Sequence, residues 1–163
     1  MLNLPSKIYT NKSRIWEAVI EIAKQVFEDD LYDIGTEDSF FHRRVFADVD
    51  LILVLHRIDL SKITVFLDKA STKVKGKVSC RPLTKMMLEN KTLIDGKAAT
   101  MLYKGVRFLN SQAKLSFGDL REIRTPQIAD DVWEIERKVI KGELNKDKAI
   151  DLLIQLLVIC QKK

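Results

Sequence analysis

The chain reads as an α+β protein: a mostly antiparallel sheet of four to six strands, an N-terminal helix and a C-terminal helical hairpin. Three observations predict this class. Apolar residues recur at helical spacing over residues 13–28. The middle of the chain then changes to short apolar runs and strict alternation, clearest at Leu51–Leu55 and Lys73–Cys80. Helical spacing returns after residue 126, in two stretches separated by Gly142. At 163 residues the chain has the length of one domain that can bury a core without disulfides. It divides into an α+β part over residues 1–125 and the hairpin over 126–163, packed on that part or pairing with a second copy.

Ser13 is placed to cap the first helix. Ile15, Trp16, Val19, Ile20, Ala23, Val26 and Phe27 form its apolar stripe, and Arg14, Glu17, Glu21 and Lys24 fall opposite. The acidic run Glu28, Asp29, Asp30, Asp33, Glu37 and Asp38 predicts a solvated loop. Leu51–Leu55, apolar throughout, predicts a central strand covered on both faces. Ile63–Leu67 predicts a second strand, joined to the first through Arg57–Lys62 as an antiparallel hairpin.

In Lys73–Cys80, Val74, Gly76, Val78 and Cys80 face one way and Lys73, Lys75, Lys77 and Ser79 the other. Arg81-Pro82 ends that strand, and a short helix follows over Leu83–Asn90. Asp95-Gly96 is a favoured hairpin-turn pair. Residues 97–110 then read as strands broken at Lys104-Gly105, although Ala98, Met101, Leu102 and Phe108 also fit a helix. Ala113–Phe117 reads as a further strand. In the closing hairpin Ile128, Val132, Ile135 and Val139 share a face, Gly142 is a C-terminal cap and Asn145 an N-cap. From Ala149 to Cys160 the last helix is apolar around most of its circumference, so it must be buried. A homodimer through residues 127–161 is one way to bury it.

Hydrophobic residues make up 46% and charged residues 31%, the balance of a water-soluble globular protein. The N-terminus has no signal-peptide core, and the apolar stretch at Ala149–Cys160 is too short to span a bilayer. These features predict a cytoplasmic protein without membrane contact. Cys80 and Cys160 make no disulfide framework and no CxxC, and read as buried small apolar residues. His42 and His56 lack partners at metal-ligand spacing, and no Walker loop, GxGxxG or GxSxG is present. No cofactor is expected.

Charge is distributed unevenly. Residues 1–50 hold 6 Lys or Arg against 10 Asp or Glu, residues 51–125 hold 15 against 6, and residues 126–163 hold 7 against 7. Between Asp68 and Glu89 there is no acid, but there are Lys69, Lys73, Lys75, Lys77, Arg81 and Lys85. Lysines alternating out of one strand stand about 7 Å apart, near the phosphate spacing of an extended single strand. Arg43, Arg44 and Arg107 add bidentate phosphate donors, and Phe41, Tyr103 and Phe108 add faces on which bases stack. The leading expectation is thus non-enzymatic binding of nucleic acid, single-stranded DNA or RNA, on a basic sheet face.

A second set of residues predicts different chemistry. Asp48-Val49-Asp50 opens a strand, so both carboxylates point the same way and can hold a divalent cation. Ile34-Gly35-Thr36 precedes the pair, and Asp68 follows it. This arrangement resembles the nucleotidyltransferase-superfamily pattern, in which a glycine followed by glycine or serine precedes an acid-x-acid pair and a third acid lies on a later strand. The resemblance implies a metal-dependent nucleotidyl or phosphoryl transferase with Asp48, Asp50 and Asp68 as metal ligands and Gly35-Thr36 as a triphosphate contact. A third alternative is an assembly subunit that works through the apolar C-terminal helix.

Overall fold

Asp59, Asp95 and Ser116 start three of the helices in the same way. Each side chain accepts hydrogen bonds from backbone N–H groups that the first turn leaves without partners. The computed structural model describes residues 12–43 and 48–161. Among these the chain runs α1 (Lys12–Phe27), β1 (Leu31–Glu37), α2 (Ser39–His42), β2 (Asp48–Leu55), α3 (Leu60–Val74), β3 (Lys77–Thr84), α4 (Lys85–Glu89), α5 (Gly96–Lys104), β4 (Val106–Phe108), α6 (Phe117–Ile140) and α7 (Lys146–Gln161). None of the described helices is long and apolar enough to cross a membrane.

The fold is α+β with an N-terminal helix, and its sheet is mixed. The four strands lie in the order β3-β2-β1-β4. β1 pairs antiparallel with β2 and with β4, whereas β2 pairs parallel with β3 along eight residues. A parallel pair needs a crossover, and α3 supplies it. The antiparallel hairpin expected from Leu51–Leu55 into Ile63–Leu67 is therefore replaced: Ile63–Leu67 lies within α3. Thr64 and Thr72 fit that helix because each hydroxyl donates back to the carbonyl one turn earlier, of Leu60 and Asp68. Ile63, Phe66 and Ala70 are its buried stripe.

Helices cover both faces of the sheet. Val49, Leu51, Leu53 and Leu55 of β2 pack with Val19, Ala23 and Phe27 of α1 and Phe66 of α3. Ile52 and Val54, on the other face, pack with Ala98 and Leu102 of α5 and Leu120 and Ile123 of α6. Two separate apolar clusters thus share β2 as a common wall, which explains its apolar run.

Other expectations are corrected in detail. The alternation at Lys73–Cys80 does not mark one strand: α3 continues to Val74, Lys75 takes a left-handed conformation at φ 55°, and β3 starts at Lys77. Pro82 lies inside β3, where an edge strand tolerates it. Asp95-Gly96 opens α5 instead of turning a hairpin, Met101–Tyr103 is helical, and only Val106–Phe108 is strand. Ala113–Ser116 is not a strand, and Phe117 begins α6. Most of the acidic run forms β1 or the 3-10 turn before it.

α6 and α7 form the closing helix pair. The Glu143 N–H donates to the Lys138 carbonyl and the Gly142 N–H to that of Val139, with Gly142 at φ 73°. This closes α6 as a Schellman motif. Asn145 then accepts from the Lys148 N–H and starts α7. Much of α7 stays exposed, including Ile150, Ile154, Leu157 and Val158.

Candidate functional site

The end of the sheet where β1 finishes and β2 and β3 begin collects Arg43, Asp48, Asp50, Lys77 and Arg107. Alternation along β2 sends Asp48 and Asp50 to the same face as Ile52 and Val54. Across the parallel register Lys77 stands beside Asp48 and Ser79 beside Asp50, and the Ser79 hydroxyl donates to Asp50 Oδ1. On the other side, Thr36 lies fully buried and its Oγ1 donates to the Asp50 carbonyl at 2.9 Å. Thr36, Glu37, Ser39, Phe40, Arg43, Asp48 and Asp50 line a closed notch of about 10 Å³. That is room for one water or cation at most.

Charge at the mouth is partly paired. Ser39 Oγ donates to Glu37 Oε2 at 3.3 Å, and Arg43 Nη2 approaches the same oxygen at 4.0 Å. Arg107 Nη2 donates to Asp38 Oδ1 at 2.7 Å, and His42 Nε2 lies 3.3 Å from Asp38 Oδ2. The Arg107 hydrogen bond holds the Asp38 carboxyl below the ordinary carboxylate range, with its charge and that of His42 adding to the effect. The Arg107 guanidinium also stacks 4.0 Å above the Phe41 ring, which meets Trp16 and Phe40 edge-on.

Several expected contacts are not assembled as one basic sheet face, because among the described residues helices cover both faces of the sheet. Lys73 and Lys75 belong to the end of α3, and Lys77 and Arg81 to edge strand β3. Phe41 packs into the α1 cluster and Phe108 against the α5 cluster. Tyr103 sits edge-on to Phe117 at the end of α5. Arg44 falls outside the described residues. The lysines and Arg81 nonetheless have a common property: no ion pair or side-chain hydrogen bond among the described residues uses Lys69, Lys73, Lys75, Lys77 or Arg81.

The acidic set is also altered. Asp68 lies on the exposed side of α3, across the sheet from Asp48 and Asp50, so it does not join them. On the strand after the pair, the position facing Asp50 is Ser79. No group of three or more His, Cys, Asp or Glu among the described residues is disposed to hold a metal ion. Gly35 serves packing, since a Cβ there would meet Val106 Cγ1 at 2.5 Å and Phe108 Cδ1 at 2.7 Å. Sequence reasoning missed Ser39 and Ser79. Their signal was Ser39 at the first position of a turn after Gly35-Thr36, and Ser79 in the alternation with Lys77. No family model, curated protein or solved structure matches the chain.

Proposed function

We propose that this end of the sheet binds a divalent-metal nucleoside triphosphate and transfers its nucleotidyl or phosphoryl group. The observation that carries the reading is the placement of Asp48 and Asp50 on one face of β2, opening on a notch formed with Ser39 and Arg43. Two carboxylates suit Mg²⁺, which takes one or two from protein and completes its octahedron with water and substrate phosphates. Bound there with the substrate, the ion would neutralise developing phosphate charge. Asp48 and Asp50 would hold it, and the hydroxyl of Ser79 fixes one Asp50 oxygen in position.

Arg43 is the half-exposed cation beside the pair, and its loose 4.0 Å approach to Glu37 leaves it able to turn to a phosphate. The notch itself is too small for a nucleotide, so the triphosphate lies across its mouth. With only two carboxylates, metal alone binds weakly and gains affinity when a triphosphate is present.

Titration calorimetry with Mg²⁺ and each of the four common ribonucleoside triphosphates tests this. The wild type should bind at least one of them, and Asp48→Asn or Asp50→Asn should weaken that binding 10-fold or more. Equal binding by wild type and both variants, or none by the wild type, overturns the reading.

A further inference from the structure

We infer that the acceptor of this reaction is a nucleic acid whose phosphate backbone docks along α3 and the β3 edge. One of its sugar hydroxyls forms a P–O bond to the triphosphate as a phosphoanhydride P–O bond breaks. Pyrophosphate leaves in nucleotidyl transfer (or the nucleoside diphosphate in phosphoryl transfer), and the hydroxyl proton passes to solvent. The inference rests on the transferase reading for its chemistry, but its binding surface is separate. A groove of about 570 Å³ runs over the outer side of the α1/α3 layer, lined by Ile22, Asp68, Lys69, Thr72, Lys73 and Lys75. Three of its side chains are cations and one is an acid. Arg14 lies against Lys73 in the adjoining depression, which holds about 170 Å³. From Lys75 the chain passes through Gly76 directly to Lys77, whose register partner is Asp48. The groove lies across the sheet from the carboxylate pair, and Lys77, at the start of edge strand β3, is the cation between the two.

Lys62, Lys91 and Arg124 each pair with a carboxylate. Among the described residues Lys69, Lys73 and Lys75 form no ion pair, and what sets them apart is that they gather around one groove. The same stretch includes an edge strand, and lysine on an edge also guards against aggregation. That explains Lys77 on β3, and the C-terminal end of α3 favours Lys73, but neither accounts for three lysines gathered around one groove. A polymer with regularly spaced phosphates fits three clustered and unneutralised cations better than one small anion. Asp68 is then an opposing charge within the track.

The test is fluorescence anisotropy of labelled single-stranded RNA and DNA oligonucleotides with the full chain, alongside vesicles containing phosphatidylserine. Five phosphate contacts in single-stranded nucleic acid would lower affinity about 100-fold between 50 and 200 mM salt. The triple variant Lys69→Glu/Lys73→Glu/Lys75→Glu should lose binding 10-fold or more, and the milder Lys69→Gln/Lys73→Gln/Lys75→Gln should lose part of it with circular dichroism unchanged. Asp68→Asn should tighten it 2- to 5-fold. Mg²⁺–triphosphate binding should be the same in all of these variants. No oligonucleotide binding at 50 mM salt, binding insensitive to both triple variants, or binding to vesicles alone would overturn the inference. Loss of triphosphate binding in Asp48→Asn with oligonucleotide binding intact shows the two surfaces to be distinct. Oligonucleotide binding by a wild type that binds no triphosphate keeps the docking surface and removes only the transfer chemistry.

Discussion

Asp33 ties the end of β4 to β1 through one carboxylate. It is buried, and it accepts hydrogen bonds from the backbone N–H groups of Ile34, Asn110 and Ser111, at 2.9, 3.1 and 2.8 Å. Asp33→Asn would turn an amide toward the Ser111 N–H, and loss of that charged acceptor should cost about 1–3 kcal/mol in urea denaturation. The long-range part of this was not legible in the sequence, because two of the three partners are backbone groups 77 and 78 residues away. The facing of Asp48 and Asp50 was legible, since alternation fixes it within the strand. Asp38 yields a pH prediction. Its carboxyl is depressed by Arg107, so the pair adds stability above the ordinary carboxylate pKa and loses it as pH falls through the lowered folded value. Both groups are half exposed, so the effect on stability is small. Carboxyl NMR titration should show the Asp38 pKa rising toward its ordinary value in Arg107→Ala. Burial pushes the Cys80 thiol up to about 11, so in a Cys160→Ser background Cys80 should resist thiol reagents at pH 8 until the protein unfolds.

The elements that sequence named well are those with a long single period. α1 matches its apolar stripe, and Gly142 and Asn145 bound the last two helices as their chemistry required. The errors fall where two periods coexist. Ile63-Thr64-Val65-Phe66-Leu67 is rich in β-branched and aromatic residues, yet capping by Asp59 and burial of Ile63, Phe66 and Ala70 decide for helix. The alternation from Lys73 to Cys80 combines the last helical residues, a left-handed turn and a strand start, and only the residues from Lys77 onward obey it as a strand. β1 was hidden by its polar content, since Asp33 and Thr36 are buried only because each is hydrogen-bonded. Close strand packing explains Gly35, and Gly35→Ala should displace β4 and lower stability by about 1–3 kcal/mol. Gly142→Ala meets no atom within 4 Å, so its cost is conformational alone, about 1 kcal/mol by thermal denaturation.

For the whole molecule, the exposed apolar surface of the α6–α7 pair stands out. Ile140 is 80% exposed and Trp133 61%, and Ile150, Ile154 and Leu157 are each about half exposed. A groove of about 400 Å³ between the helices is lined by Ile135, Val139, Ile140, Ala149, Ile150 and Leu153, with Glu136 and Lys146 as its charges. Glu136 and Lys146 give the groove one charge of each sign, a pattern that an isologous pairing can match. The homodimer expected from sequence is tested by sedimentation at micromolar concentration. It should weaken in Glu136→Lys and return in Glu136→Lys/Lys146→Glu, and a wild type that sediments as a monomer at 100 µM would remove this expectation. Sequence foresaw the apolar last helix but not that it stays exposed on the described chain, because burial depends on what the fold, or a partner, lays over it.

The shared wall between the two apolar clusters has a consequence for folding fidelity. A strand with one oily side is held in register by its own alternation, but Leu51–Leu55 is equally apolar on both sides, so a slip by one residue would cost its core little. What distinguishes the two settings is the start of the strand: slipped, Asp48 and Asp50 would turn to the α1/α3 face beside Val78 and away from the notch. The carboxylates proposed to do the chemistry are thus also the alignment marks of the sheet. Selection for catalysis and selection against misthreading would act on the same two positions, and apolar replacements there should broaden the amide-exchange pattern of β2 where the asparagine variants leave it sharp.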